Sequence, residues 1–306
     1  MKILVTGGAG FIASHIVDAY IEAGHTVAVI DNLHTGFKKN LNKKAKFYQI
    51  DITDRAKLEK VFKEFRPEIV NHHAALAEVV KSLRDPIPTY ETNVLGTANL
   101  ALLFGQYGKG NNKKFIFAST GGAIYGNPKK IPANEKTPAE PLSPYGLSKL
   151  LGEEVIKYYA RNAGYIYHIN RYSNVFGPRQ NPKGEAGVVS IFGLLMKSGK
   201  PATIFGDGSK VRDYVYVGDV ARANVLALKK GENTTTNIGR GKPVTDMMIF
   251  KAVAKATNYT KPPKLAPFRK GEVDKITLNY SQAKKILGWE PRVGLEEGVK
   301  LAIENL

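Results

Sequence analysis

Cysteine is absent from this 306-residue sequence. That absence excludes disulfides, a thiol nucleophile and any thiolate metal site. It suits a reducing compartment, and a cytoplasmic protein is expected. No apolar run approaches the roughly 18 residues needed to span a bilayer, so no membrane partner is expected. The chain opens directly on an apolar strand, which leaves no room for a signal peptide. Internal repeats and low-complexity segments are also missing. Acidic residues are in short supply, 27 against 45 lysines and arginines, for a net charge of +18. Nucleic-acid binding is one reading of that excess. The lysine pairs Lys38–Lys39, Lys43–Lys44, Lys113–Lys114, Lys129–Lys130 and Lys229–Lys230 are scattered, however, mostly in loops and at helix ends. They lack aromatic interleaving and any nucleic-acid fold signature. The excess reads as a solvated surface that also attracts anionic ligands, and no nucleic-acid partner is expected. What is present is ordinary for a globular chain, with 43% hydrophobic and 24% charged residues. The length holds one large domain or two fused ones.

The organising stretch is KILVTGGAGFIASHIVDAYIEAGHTVAVID, residues 2–31. Ile3, Leu4 and Val5 mark a buried strand, Gly7, Gly8 and Gly10 a turn, and Phe11, Ile12, Ile16, Ala19 and Tyr20 a helix closed by Gly24. A second apolar strand follows from Thr26 and ends on Asp31. Gly7 permits the tight turn, and Gly10 lets the backbone approach a pyrophosphate. The helix N-terminus offers N–H groups to the negative charge. Ala13 holds the third glycine position, where close helix–strand packing is what matters. Asp31 stands where a carboxylate accepts both hydroxyls of an adenosine ribose. It would repel a 2′-phosphate, so the expected cofactor is NAD rather than NADP.

Residues 1–180 continue to alternate short strands with helices. Strands are expected at Lys46–Ile50, Glu68–Asn71, Lys114–Ala118 and Tyr165–Arg171. Helices are expected from a Thr53 or Asp54 cap to Phe65, over 87–107, and from Pro144 onward. The alternation implies a doubly wound α/β fold, a parallel sheet with helices on both faces. Past residue 180 the pattern loosens, with helical stretches near 188–197, 219–229, 245–257 and 281–287. The expected organisation is a dinucleotide-binding domain over 1–180 and a smaller substrate lobe over 181–306, with later segments free to return to the first. Ligands of such sheets lie outside the carboxyl ends of the strands.

Tyr145 and Lys149 in SPYGLSK share one face at the start of a helix. An ammonium beside a phenol favours the phenolate, which could then act as a base. Ser119 and Thr120 follow the fifth strand, where a hydroxyl can hold the substrate oxygen that Tyr145 deprotonates. Either could equally cap a loop turn. His72 and His73 are adjacent, so their side chains diverge, and no ligand-spaced carboxylate or cysteine joins them. No metal is expected.

The segments TGGAGFIAS, DNLHTG, DITD, NHHAA, TNVLGT, FASTGGAIYG, SPYGLSK, RYSNVFGPRQ, IFGDGSKVRDYVYV and RKGEVDK cover nearly the whole chain. Together they resemble the extended short-chain dehydrogenase/reductases, and within them the UDP-glucose (UDP-galactose) 4-epimerases. The resemblance implies an isomerase in which bound NAD takes hydride from C4 of the sugar and returns it to the other face. Tyr145 would serve as base, and Lys149 would also hold the nicotinamide ribose. It implies NAD contacts at Gly7, Gly10, Phe11, Ile12, Asp31, Asn32, Asp51, Ile52, Ala74, Ala75, Asn93 and Tyr172. It implies substrate contacts at Asn174, Val188, Val189, Thr203, Phe205, Arg212, Arg269 and Glu272. The arginines also fit on their own chemistry, since forked donors suit a diphosphate better than lysine does.

Three features depart from or bear on that pattern. The usual serine position is Gly121, so the catalytic hydroxyl falls to Thr120 or Ser119. Some relatives carry a lysine at Ala77 that helps bind NAD. Ile276 aligns with the position that flanks the C2 substituent of the sugar. A 4,6-dehydratase is disfavoured because Gly121, Gly122 and Ala123 follow Thr120 where an Asp–Glu pair would be needed, and a decarboxylase lacks its loop glutamate. A net reductase, an epimerase for N-acetylated or uronic sugars, and a non-catalytic NAD-binding protein complete the alternatives. A homodimer is expected through helices near 88–107 and 145–161, whose Val94, Leu95, Ala98 and Leu102 exceed what one sheet face requires.

Overall fold

A computed structural model of the chain describes residues 1–183, 187–269 and 273–306. Six strands alternate with helices through the first 172 residues. They are β1 (Lys2–Thr6), β2 (Thr26–Asp31), β3 (Lys46–Gln49), β4 (Ile69–His72), β5 (Lys114–Thr120) and β6 (Ile166–Tyr172). Among them lie α1 (Phe11–Glu22), α2 (Arg55–Phe65), α3 (Val79–Arg84), α4 (Ile87–Tyr90), α5 (Gly96–Tyr107), α6 (Gly121–Ile124) and α7 (Pro144–Ala163). The carboxyl-terminal part adds β7 (Asn174–Phe176), α8 (Val188–Lys197), β8 (Thr203–Phe205), β9 (Val211–Arg212), β10 (Tyr214–Tyr216) and α9 (Val217–Ala227). It ends with β11 (Thr234–Ile238), β12 (Val244–Thr245), α10 (Asp246–Thr257), β13 (Lys264–Ala266), α11 (Ser281–Leu287) and α12 (Leu295–Glu304).

Seven strands form one parallel sheet in the order β11-β6-β5-β4-β1-β2-β3. The order reverses between β1 and β4, which opens a crevice at their carboxyl ends. Both faces are covered. Ile3, Val5, Val27 and Val29 pack beneath α1 and α9, while Leu4, Ala28, Ile30 and Phe117 pack beneath α2, α5 and α7. This is the doubly wound fold that the alternation implied. A separate core of Phe192, Met196, Ile204, Tyr214, Phe250 and Ile303 holds the smaller lobe.

Two local outcomes differ from the sequence expectation. The helix over 87–107 is interrupted, because Glu91–Leu95 forms a π turn between α4 and α5. The short α3 was not anticipated, nor was α12. Strand β11 crosses back from the carboxyl-terminal half to extend the large sheet beside β6. No helix among the described residues is long and apolar enough to cross a membrane.

Candidate active site

A cavity of about 590 Å³ runs along the carboxyl ends of the strands, from the glycine turn to the smaller lobe. A second cavity of about 120 Å³ adjoins it beside β2. Gly7 and Gly10 line both. Gly7 adopts φ +73°, and a Cβ there would stand 2.8 Å from the Ala74 nitrogen. A Cβ on Gly10 would stand 3.0 Å from the Gly7 carbonyl. The turn is thus packed as tightly as backbone allows. The Gly10 cap supplies no side-chain acceptor to α1, so the first-turn N–H groups remain available to an anion.

The smaller cavity is lined by Asp31, Asn32, Asp51, Ile52, Ala74 and Ala75. Asp31 is 7% exposed, and its two oxygens accept from Ala9 N at 3.0 Å and Leu33 N at 2.7 Å. Burial raises its carboxyl above the ordinary range, and these two N–H donors oppose the rise. Each oxygen keeps a further lone pair for a ribose hydroxyl. Asn32 donates to Asp51 at 2.7 Å, joining the two acidic strand ends. Phe11 and Ile12 line the large cavity. The cradle and the carboxylate therefore fit a dinucleotide. Asn93, the remaining expected contact on this side, stands behind the cavity walls. It is 2% exposed and its amide is spent within the protein, donating to Leu76 O and Ser148 Oγ and accepting from Leu76 N. It pins the loop after β4 rather than lining either cavity.

Helix α7 places the chemistry. Ser143 caps it, accepting from Gly146 N at 3.2 Å, and Pro144 sits in its first turn. Tyr145 and Lys149 then project from one face into the large cavity. The Tyr145 hydroxyl lies beside the Thr120 side chain, which favours its ionised form. Ser119 is not available in the same way. It is 3% exposed and donates to Glu153 at 2.5 Å. Of the two candidate hydroxyls, Thr120 is the one brought to Tyr145. Gly121 is glycine for a steric reason: a Cβ there would stand 2.5 Å from Leu278 Cδ1.

Burial dominates the electrostatics. It pushes Tyr145 up to about 12, against the influence of Thr120. It pushes Lys149 down to about 7, while the nearby Glu153 carboxylate works the other way. Lys149 Nζ lies 4.6 Å from the Phe117 ring centroid. The expected lowering of the Tyr145 pKa by its lysine is therefore not found in the protein alone, where burial of the phenol outweighs the influences that oppose it. A lysine near 7 does exchange protons readily at neutral pH.

Tyr172 stands at the end of β6, stacked on His73 with centroids 5.8 Å apart. Its hydroxyl accepts from Asn224 at 2.8 Å and bonds His73 Nε2 at 3.0 Å. His73 Nδ1 is buried without a partner, and burial holds the ring's pKa down to about 3. His72 points elsewhere, between Thr6 and Thr97.

Asn174, Val188, Val189, Thr203 and Phe205 line the far end of the large cavity. Arg212 and Arg269 stand there too. Arg212 Nη1 donates to the carbonyls of Val211 and Asp274, and Arg269 stacks 3.5 Å over the Phe205 ring. Glu272 lies outside the described residues. Ile276 stands behind the cavity wall. It is 1% exposed in a cluster with Tyr125, Ala133 and Leu278, and Val273 is the member of that stretch facing the cavity. Sequence reading missed Lys210, a cavity-lining residue 6% exposed. It lies two positions before Arg212, and alternate residues of an extended segment share a face, so the signal was there.

A glycine-turn dinucleotide cradle joined to a buried tyrosine–lysine pair defines the class, and comparison with known proteins gives the family. The chain belongs to the NAD dependent epimerase/dehydratase family, whose model matches residues 3–239. The UDP-glucose 4-epimerase of Thermotoga maritima, solved with UDP-glucose, is 50% identical with a TM-score of 0.97, covering 100% of this chain and 98% of that one. The UDP-glucose 4-epimerase of Thermus thermophilus, solved with NAD, is 43% identical with a TM-score of 0.94, covering 100% and 98%. The UDP-glucose 4-epimerase of Mycolicibacterium smegmatis is 38% identical over 314 residues, with 99% of this chain and 98% of that protein aligned.

Proposed function

We propose that this protein is an NAD-dependent nucleotide-sugar 4-epimerase that interconverts UDP-galactose and UDP-glucose. The observation that carries the reading is the Thr120–Tyr145–Lys149 arrangement, which lines one continuous cavity with the dinucleotide cradle and the two arginines. NAD, when bound, supplies a reversible hydride acceptor. Tyr145 takes the proton of the sugar C4 hydroxyl, and Thr120 holds that oxygen in line. Lys149 supplies positive charge beside the phenolate and can pass the proton on. Arg212 and Arg269 hold the diphosphate, so the hexose can turn over at the carbonyl stage without leaving. Asn174, Thr203 and Phe205 embrace the nucleoside end. The Asp31 carboxylate favours NAD over NADP by charge.

The test is direct. The purified protein is incubated with UDP-galactose, without added NAD, and UDP-glucose is sought by NMR. Conversion supports the reading and indicates that cofactor is retained through purification. Conversion only after NAD is added indicates loose retention, in line with Ala77. No conversion in either case removes this substrate pair. The same reading includes a homodimer built on α5 and α7. It is supported by Leu95 (54% exposed) and by Leu147, Leu151 and Tyr158 of α7, apolar side chains left in contact with solvent.

A further inference from the structure

Glu153 is the one fully buried carboxylate on α7, at 0% exposure, and the reaction as proposed gives it no task. It lies one helical turn beyond Lys149 and two beyond Tyr145, so the three side chains share a face. Its Oε1 accepts from Ser119 Oγ at 2.5 Å and from Arg171 Nε at 2.8 Å. Its Oε2 accepts from Arg171 Nη2 at 2.6 Å. Arg171, 7% exposed, extends the chain of contacts by donating from Nη1 to Tyr125, which donates in turn to Asn237 at 2.8 Å.

The strand register shows what this pair holds. Ser119 stands opposite Arg171 in the β5–β6 ladder, and Thr120 stands opposite Tyr172 on the next rung. One rung grips Glu153, and the adjacent rung carries the two residues that face the chemistry. A buried ion pair is a poor way to gain stability, because its desolvation cost rivals its attraction and apolar replacements often do as well. A bidentate arginine–carboxylate fork is, however, a good way to fix two elements in one geometry.

We propose that Glu153 and Arg171 form a positioning unit for the epimerisation, locking α7 to the ends of β5 and β6 so that Tyr145 and Lys149 meet Thr120 and Tyr172 in register. The same carboxylate also sustains the charge of Lys149. The charged and titratable groups around that amine are Glu153 and Tyr145 on its own helix and His72 and His73 at the end of β4, with the Phe117 ring on β5. Among these, Glu153 is the group that raises the lysine against burial. Around Glu153 itself stand Arg171, Ser119 and Lys157, the last at 4.0 Å.

The inference rests on the reading of Tyr145 and Lys149 as the reacting pair, so the experiment carries Tyr145→Phe beside it. Holoenzyme bearing Glu153→Gln or Glu153→Asp is assayed for kcat and KM with UDP-galactose from pH 6 to pH 10, with thermal melting as the check on folding. Glu153→Gln is expected to lower kcat by about tenfold or more at nearly unchanged KM. It is also expected to move the alkaline limb of the kcat profile down by about one pH unit, since the carboxylate that favours the ammonium is gone. Glu153→Asp keeps the charge and shortens the reach, so the limb returns while kcat stays reduced. A folded Glu153→Gln enzyme with wild-type kcat and an unmoved limb overturns the proposal. So does failure of both variants to fold, which would assign the pair to stability alone. Activity retained by Tyr145→Phe would instead overturn the underlying reading.

Discussion

Lys149, the amine of the proposed reacting pair, is held in place at the expense of the fold. Its folded pKa near 7 lies below the 10.5 of an exposed lysine. Between those values the unfolded chain holds a proton that the folded chain has released. Stability therefore rises as pH climbs from about 7 toward 10.5, and below 7 the full cost of burying the ammonium is felt. In protein stripped of NAD, Lys149→Met is expected to gain on the order of 1–3 kcal/mol at neutral pH and to flatten that slope. Urea melts at a series of pH values check it, and a slope identical to wild type would show that the amine is not desolvated. The variant should lose orders of magnitude in turnover, the usual trade of stability against activity. Gly121 argues the opposite case, a residue dictated by packing. Placing serine there drives Cβ to 2.5 Å from Leu278, itself 0% exposed. Gly121→Ser is expected to lose about 1–3 kcal/mol in a urea melt, and Leu278→Ala in the same chain should recover part of it. The residue types at the site were legible because chemistry restricts them. The reason for Gly121 was not, since Leu278 meets it only in the folded chain. The depth of Asn93 and Ile276, both behind the cavity wall, was not legible for a related cause, since it too is set only in the folded chain.

At the scale of elements, α7 is the piece on which the site depends, and its seat against β5 is set by another glycine. A Cβ on Gly152 would stand 2.8 Å from Phe117 Cζ. Phe117 is itself 0% exposed and carries the Lys149 ammonium over its ring. Alanine in a helix interior is worth roughly 0.5–1 kcal/mol over glycine, while overpacking a filled core costs about 1–3 kcal/mol. The steric cost wins. Gly152→Ala is expected to lower the melting temperature and to reduce kcat more than it raises KM, because the displaced ring is the one against which the Lys149 amine rests. A higher melting temperature would show that α7 has slack against the sheet. The long amphipathic helices and apolar strands were legible from spacing alone. Strand β11 was harder, for it reads TTTNI and has no apolar run. It is held by its place beside β6, with Thr236 and Asn237 both buried as polar residues. The π turn within 87–107 leaves the apolar spacing of a helix largely intact, so periodicity saw one element where there are three.

The whole molecule carries a strongly basic charge balance, and among the described residues large apolar side chains gather in the open on two neighbouring helices. Ile87 is 58% exposed and Leu95 54%, on the segment leading into α5. Leu147, Leu151 and Tyr158 are 37%, 40% and 54% exposed on α7. The two helices pack directly against one another, so these side chains belong to neighbouring surfaces. Large apolar groups gathered on adjacent helices are costly to leave in water, and a twofold pairing would cover the same residues on both copies. Dimerisation there would also brace α7 from outside, while the Glu153–Arg171 pair braces it from within. The expected mass in light scattering at micromolar concentration is that of two 33.5 kDa chains. Replacing Leu95 and Leu151 together by glutamate puts like charges into a desolvated contact, and should shift that mass to one chain with the fold retained by circular dichroism. A wild-type mass of one chain, or a double variant that still elutes as two, would move the interface away from this pair of helices.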